Sequence, residues 1–234
     1  MVEQDVLRNR LLAALPESER ARLLPHLSPV AFRPRETLHG DDEPLRAVCF
    51  PTGGLYSIMT PAVGGERVEV AAVGVDGLIG VLGLLGVEAA TGVALAQTEA
   101  TAVRIDLDIL RREALHCPEL RRLAGRYAHA LIGDILQWVA CNRLHSLEQR
   151  CARWLLAAAD ASASDTLRLT HDLIAEMLGV RRPSVTLAMR ALQRAGAVAS
   201  SRGRVAIVDR EALQRAACPC YGLVRRRYEG LLTG

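Results

Sequence analysis

The spacing of hydrophobic residues changes along the chain and predicts a β-rich part near the N-terminus. Residues 6–15 and 17–24 have the helical spacing of apolar positions, and Pro16 and Pro25 end these two segments. After them, short β-prone runs alternate with turn signals rich in Gly and Asp. The runs are residues 30–34, 47–50, 55–59, 67–73, 93–96 and 100–105. Short strands at this spacing predict an antiparallel β-roll or jelly roll.

A helical pattern returns over residues 106–114, and a long one then runs from Pro118 to about His145. The long pattern has one apolar stripe with members three or four residues apart: Leu120, Leu123, Tyr127, Leu131, Ile135 and Trp138. Leu136 and Val139 add further apolar positions. At 1.5 Å per residue the helix is roughly 40 Å long, which predicts a homodimer formed by helix pairing. The alternative is a helix packed only on its own β-roll.

The remaining residues have the pattern of a helix-turn-helix. Ser146 is a suitable N-cap for a new helix, which ends near residues 161–165. Further on, Ala175 is small enough for two helices to approach closely, Gly179 suits a turn with positive φ, and Val185 returns to the core. We therefore divide the chain into residues 1–117, residues 118–145 and residues 146–234, and the fold class is α+β.

The second helix of this motif is predicted to enter the major groove of DNA with its N-terminus. Pro183 suits the helix start, and Gly196 ends the helix. Residues 197–201 and 204–208 then form a basic hairpin, the wing. The predicted DNA contacts are Arg181, Arg182, Ser184, Thr186, Arg190, Arg202 and Arg204. Arg182 is the candidate for a guanine edge, whose O6 and N7 match its fork; the alternative for each Arg is a solvated helix face.

The distribution of charge agrees with this prediction. All 29 basic residues other than histidine are Arg. Residues 146–234 contain 14 Arg against 8 acidic residues, a net charge of +6, whereas residues 1–145 have a net charge of −3. A basic C-terminal part predicts that this end of the molecule meets a polyanion.

These segments resemble the CRP/FNR superfamily of bacterial transcription regulators. The resemblance is carried by LTHDLIAEMLGVRRPSVT at residues 169–186, by Gly196 and by SRGRV at residues 201–205. FRPRETLHGD at residues 32–41 looks like the first barrel strands of that family, and the pair Gly53 and Gly54 looks like its strand turn. The resemblance covers nearly the whole chain. It implies a cyclic-nucleotide-binding-like β-roll, a dimerisation helix, a winged helix-turn-helix, palindromic double-stranded operators, and RNA polymerase as a partner.

The predicted effector pocket departs from the family pattern. GLIGVLGLLG at residues 77–86 matches the short ligand-binding helix, but Val81 replaces the glutamate that takes the ribose hydroxyl. No Arg near Ala90 and Thr91 is placed to pair with a cyclic phosphate. Cyclic AMP in the usual mode is therefore not expected, and the effector stays open. The pocket candidates are Gly77, Gly80, Val81, Ala90 and Thr91.

The sequence predicts no metal, haem or catalytic residue. Iron–sulfur members of the family cluster cysteines near the N-terminus, whereas the first one here is Cys49. Cys218 and Cys220 are the only close pair, and one pair lacks the four ligands of a structural zinc site. Cys141 and Cys151 flank the hinge, where they could sense redox state, although free Cys is usually core. The sequence has no closely spaced His pair, nucleophile elbow or P-loop, so we expect no enzyme.

The N-terminal segment does not predict export. Residues 1–10 carry mixed charge without an apolar stretch, and the longest apolar run, residues 77–87, is far shorter than the roughly 20 residues of a membrane helix. We expect a cytoplasmic protein with reduced cysteines and no membrane partner. The alternative function is a ligand-binding module that acts on a partner protein, against which the basic wing argues.

Overall fold

The computed structural model describes residues 2–61, 67–201 and 203–232. It has the predicted α+β architecture: an antiparallel β-roll with flanking helices, a long helix and a winged helix-turn-helix. No helix within the described ranges combines the length and hydropathy that a bilayer crossing requires.

Short helices precede and interrupt the β-roll. Its helices are α1 (Val2–Val6), α2 (Arg10–Ala13), α3 (Glu17–Leu23), α4 (Val81–Leu84) and α5 (Leu107–Ala114), with a 3-10 turn at Leu24–His26. The single helix predicted over residues 6–15 is wrong, because Asn9 divides it into α1 and α2. The Asn9 side chain caps α2 by accepting a hydrogen bond from Leu12 N, and its amide donates to the carbonyls of Pro51 and Gly77.

Two antiparallel sheets form the roll. Its strands are β1 (Ser28–Phe32), β2 (Thr37–His39), β3 (Ala47–Gly53), β4 (Tyr56–Pro61), β5 (Arg67–Val73), β6 (Val93–Ala96) and β7 (Ala100–Asp106). One sheet has the order β1-β7-β3 and the other the order β2-β6-β4-β5. Apolar side chains of both sheets meet inside the roll, where Phe32 and Tyr56 pack edge to face with ring centroids 5.8 Å apart.

The long helix, α6, spans Pro118–Leu144, close to its predicted bounds. Its first half is a core helix of its own subunit. Leu120, Leu123 and Tyr127 are 3%, 2% and 1% exposed, and they pack against the roll and its flanking helices. These three residues present no surface to a second chain, so their assignment to a dimer interface is wrong. Leu131, Ile135 and Trp138, farther along α6, are partly buried.

The C-terminal part packs around α7, in a core that also includes Leu55, Met59, Val93 and Leu95 of the roll. Its elements are α7 (Leu147–Ser162), β8 (Thr166–Leu167), α8 (His171–Leu178), α9 (Arg182–Arg194), β9 (Val198–Ser201), β10 (Arg204–Ile207), α10 (Arg210–Ala216) and α11 (Cys220–Leu232). Ser146 caps α7 as predicted, in a capping box with Gln149. The sequence pattern does not indicate α11, which folds back on α6, where Arg227 Nη1 donates to Gly133 O at 2.7 Å.

Candidate nucleic-acid interface

Helices α8 and α9 form the two arms of the helix-turn-helix. Thr170 caps α8 by accepting a hydrogen bond from Leu173 N at 3.2 Å. Gly179 ends α8 with a φ of 63°, a left-handed conformation that favours glycine. Ala175 and Val185 are both buried between the helices. The turn geometry is therefore the one that the sequence predicts.

Helix α9 buries one face and exposes a basic one. Val185, Ala188, Met189 and Leu192 are the buried residues of the helix. Arg181, Arg182 and Arg190, three of the predicted DNA contacts, are exposed, the first two at the start of the helix. The Arg182 guanidinium lies 3.6 Å from Asp172, and both side chains are about two-thirds exposed. An exposed pair of this kind is weak, so it can be exchanged for a contact to DNA.

Two predicted contacts, Ser184 and Thr186, are less accessible. Both are partly buried, and the Thr186 hydroxyl is already bonded: it lies 3.0 Å from His171 Nδ1 and donates to Arg182 O at 3.2 Å. Leu187, which is not among the predicted contacts, is 65% exposed on the open face of α9. An apolar side chain at this position suits the methyl group of thymine. The sequence could have predicted that Leu187 is exposed, because this residue falls outside the apolar stripe of the amphipathic helix α9.

The wing follows α9 as a two-stranded ribbon. β9 and β10 pair antiparallel, with Arg204 opposite Ser201, and Gly203 turns the chain with a φ of 77°. Arg204 is exposed beside this turn. Arg202, also predicted to contact DNA, lies outside the described residues.

A cavity of about 290 Å³ lies inside the β-roll and against α6. Gly80, Val81, Ala90 and Thr91 line it, as predicted for the effector pocket. Gly77 does not, and its assignment to the pocket is wrong: it packs against Tyr127, whose Oη would lie 2.6 Å from a Cβ at this position.

The lining of this cavity is almost entirely apolar. Among the described lining residues only His39, Thr60 and Thr91 have polar side chains, and none carries a carboxylate or guanidinium. Burial lowers the pKa of His39 and so favours its neutral form. The described residues that line the cavity therefore include no positively charged side chain that could pair with an anionic ligand.

Comparison with known proteins agrees with this architecture. Residues 149–216 match the Crp-like helix-turn-helix domain family. The chain is 32% identical over 136 residues to the transcriptional regulator LdrP of Thermus thermophilus, a match that covers 53% of this chain and 64% of LdrP, less than two thirds of its length. A CRP-family transcriptional regulator of known structure, also from Thermus thermophilus, has a TM-score of 0.66 at 25% identity, covering 80% of this chain and 96% of that one. The chain is thus similar to CRP-family regulators, and residues 149–216 match their helix-turn-helix domain.

A more distant structure shares the same fold. FixK2 from Bradyrhizobium japonicum has a TM-score of 0.69 at 16% identity, and the match covers 82% of this chain and 98% of that one. The fold that the two chains share therefore extends over most of this chain.

Four possible metal ligands lie together in this chain, where the sequence suggests only a pair. Cys141 near the end of α6 and His145, the residue that follows this helix, meet Cys218 and Cys220, which flank Pro219, and all four ligand atoms lie within 4.8 Å of one another. In the sequence Cys218 and Cys220 stand as one pair, and the fold brings two further ligand atoms to them. Cys151, the other cysteine considered at the hinge, is buried beside Met189, outside this group.

The β-roll and the winged domain also contact each other directly. Arg35 Nη2 lies 2.5 Å from Glu176 Oε2 of α8, and Gln97 Nε2 donates to Met177 Sδ at 3.0 Å. Trp154 of α7 donates from Nε1 to Glu69 of β5 at 2.6 Å, and Ser57 donates to the same carboxyl group. Burial raises the pKa of Glu69 to about 7. A titratable group thus sits between the two parts of the subunit.

Glu69→Gln should remove a pH dependence of stability. Between the ordinary pKa of 4.5 and the folded value of about 7, the folded protein holds a proton that the unfolded chain has lost. The free energy of unfolding should therefore fall as pH rises across this window, by up to about 3 kcal/mol, and stay level above it. Glutamine can accept from Trp154 and has no proton to lose, so the variant should lack this fall.

Urea denaturation at about pH 5 and about pH 8 measures the difference. The control is Glu211→Gln, because Glu211 is 88% exposed and its replacement should leave the wild-type pH dependence intact. An identical pH dependence in wild type and Glu69→Gln would show that Glu69 does not titrate in this window.

Proposed function

We propose that this chain is a transcription regulator that binds palindromic double-stranded DNA as a homodimer and takes its signal at the β-roll. The observation that carries the proposal is the group of exposed arginines on α9, with Arg181 and Arg182 at its N-terminus and Arg190 on the side away from its buried stripe. The wing that follows α9 adds the exposed Arg204. Arginines on a recognition helix supply both base-edge and phosphate contacts.

The second half of α6 supports the homodimer. Ile132, Leu136 and Val139 are 54%, 64% and 61% exposed, and their spacing places them on one face. Large apolar side chains grouped in this way are typical of an interaction surface. We therefore move the proposed interface from the buried residues of α6 to this face, with Ile135 and Leu131 at its edge. Pairing of the same face in two copies gives the two-fold symmetry that a palindrome requires.

The β-roll cavity supports a signal that reaches α6. Leu131, Ile132 and Ile135 line the cavity and border the proposed dimer face. A ligand that filled the cavity would therefore press on α6, turn the hinge at residues 142–146 and change the spacing of two recognition helices. Half-sites about 34 Å apart require that spacing to be set correctly. The apolar lining favours an uncharged, largely apolar effector.

Binding-site selection from random duplex DNA with the purified protein, with and without a small-molecule extract, tests the function. We expect a two-fold symmetric motif in at least one condition. The partner that we propose for the regulator on this motif is RNA polymerase, in the cytoplasm. If neither condition enriches any motif, the DNA-binding proposal fails, and the module that acts on a partner protein takes its place.

Arg182→Ala should weaken discrimination at one base pair of each half-site by about 1–3 kcal/mol, which is a loss of about 5- to 150-fold. The reason is the loss of a bidentate contact to guanine. Competition binding with the selected site and its single-base variants measures this effect. Arg215→Ala is the matched control, because Arg215 is equally exposed but lies on α10. Unchanged discrimination in Arg182→Ala would contradict the assignment of base recognition to Arg182.

A further inference from the structure

Three of the six cysteines in the chain meet at one point beside the hinge. Cys141 lies in the last turn of α6, and His145 is the extended residue that follows the helix, with its backbone N–H donating to Cys141 O. Cys218 and Cys220 come from the junction of α10 and α11, more than 70 positions later. The Sγ atoms of Cys141 and Cys218 are 3.8 Å apart, and Cys220 Sγ is 3.4 Å from His145 Nε2.

These separations match the edges of a metal-centred tetrahedron. With zinc–sulfur bonds of about 2.3 Å and a zinc–nitrogen bond of about 2.0 Å, tetrahedral angles place two sulfurs about 3.8 Å apart and a sulfur and a nitrogen about 3.6 Å apart. All four ligand atoms lie within 4.8 Å of one another, so side-chain movements of about 1 Å bring them to tetrahedral distances. Atoms this close surround one ion and leave no room for a cluster of several irons.

We propose that Cys141, His145, Cys218 and Cys220 form a closed tetrahedral site for one zinc ion. Three thiolates and one imidazole are a ligand set that structural zinc sites use. Soft sulfur ligands disfavour magnesium and calcium, which take oxygen. Binding of Zn²⁺ displaces one proton from each of the three thiols, which leave to solvent, and no oxidant or reductant is needed.

The surroundings of the four residues suit thiolates. Gln137 Nε2 donates to Cys220 Sγ at 3.0 Å, and Arg153 Nη1 donates to Cys141 Sγ at 3.4 Å. Donors of this kind orient metal ligands and offset their negative charge. The three cysteines are buried together against Trp138, whereas His145 is partly exposed and gives the ion a route from solvent.

The position of the site means that a bound ion would join two parts of the chain. His145 directly precedes Ser146, the N-cap of α7, so two ligands belong to the hinge between α6 and the winged domain. The other two belong to the segment that leads from α10 into α11. A bound ion would therefore fix the winged domain to the end of α6. This inference does not depend on the proposed DNA binding.

Zinc analysis of the full chain, purified under reducing conditions and dialysed against buffer with added Zn²⁺, tests the site. We expect about one equivalent of zinc per chain in the wild type and less than about a tenth in Cys218→Ser and in Cys220→Ser. Cys151→Ser is the control, because Cys151 is also fully buried but lies outside the group; it should keep its zinc. Wild-type protein without zinc, or with zinc that survives both substitutions, overturns the proposal.

A second measurement needs only the wild-type chain and so does not depend on the folding of the variants. Alkylation followed by peptide mapping should show Cys141, Cys218 and Cys220 protected in zinc-loaded protein and modified at least about 10-fold faster after chelator treatment. Cys49 and Cys117, buried elsewhere, should react at the same rate in both samples. Equal rates in both samples at every one of these cysteines, or a disulfide between Cys141 and Cys218 in the reduced preparation, would overturn the zinc site.

Discussion

Asp134→Ala should lower the free energy of unfolding by about 3–5 kcal/mol. Asp134 of α6 and Arg153 of α7 form an ion pair with Nη2 and Oδ1 2.5 Å apart, and both are almost fully buried, at 7% and 2% exposed. Removal of the carboxylate leaves the guanidinium as an unpaired charge in the interior. Arg153 also stacks on Trp138 at 3.9 Å, so it cannot turn toward water without the loss of that contact. Equilibrium urea denaturation measures the loss.

An exposed ion pair provides the matched control. Glu113 lies 2.9 Å from Arg22, and these side chains are 21% and 46% exposed. Glu113→Ala should cost less than about 1 kcal/mol, because water already screens this pair. A double replacement of Asp134 and Arg153 by Leu and Met should recover part of the stability, since no charge then stays buried. If Asp134→Ala costs no more than Glu113→Ala, the buried pair is not an important link between α6 and α7.

The sequence predicts the helix-turn-helix well because its signals are local. Gly179 needs a left-handed φ, Thr170 caps the helix before it, and Gly196 ends the helix after it. Each of these requirements involves only a few neighbouring residues. The bounds of α6 follow in the same way from Pro118 at its start. Asn9 is the counter-example, because its role in dividing a helix depends on carbonyls 42 and 68 residues away.

The sequence does not show what buries an apolar face. Leu123 and Leu136 both follow the helical period, yet one is 2% exposed and the other 64%. The roll and α11 cover the first half of α6 and leave part of the second half open. A periodic stripe therefore predicts that a helix is amphipathic, but the partner of each residue follows from the tertiary fold. The same applies to Gly77, whose neighbour Tyr127 is 50 positions away.

The cysteine group shows the same limit at a site. Cys141 and His145 form one short pair, four positions apart, and Cys218 and Cys220 form a second short pair. Neither pair is a complete metal site alone. The two pairs come together because α11 folds back on α6, and no clear pattern in the sequence predicts α11. The sequence therefore predicts which residue types could bind a metal, but only the fold shows that four such residues lie together. The exposed arginines of α9 are easier to place from the sequence, since one short helix carries them.

A single charged substitution on the exposed face of α6 tests the proposed dimer interface directly. Leu136 lies in the middle of this face, between Ile132 and Val139. In a two-fold interface each substituted residue occurs twice and near the symmetry axis. A glutamate at this position would bring two like charges together in an apolar contact, which costs several kcal/mol. It would leave the monomer intact, because the side chain is already 64% exposed there.

Leu136→Glu should therefore raise the dimer dissociation constant by about 100-fold or more. Sedimentation velocity at micromolar concentrations measures the change, and binding to a two-fold symmetric site should weaken in parallel because two half-sites no longer act together. Leu115→Glu is the control: Leu115 is 69% exposed but lies beyond α5, away from the face, so this variant should stay dimeric. A Leu136→Glu protein that is as dimeric as Leu115→Glu would show that two chains do not pair through this face of α6.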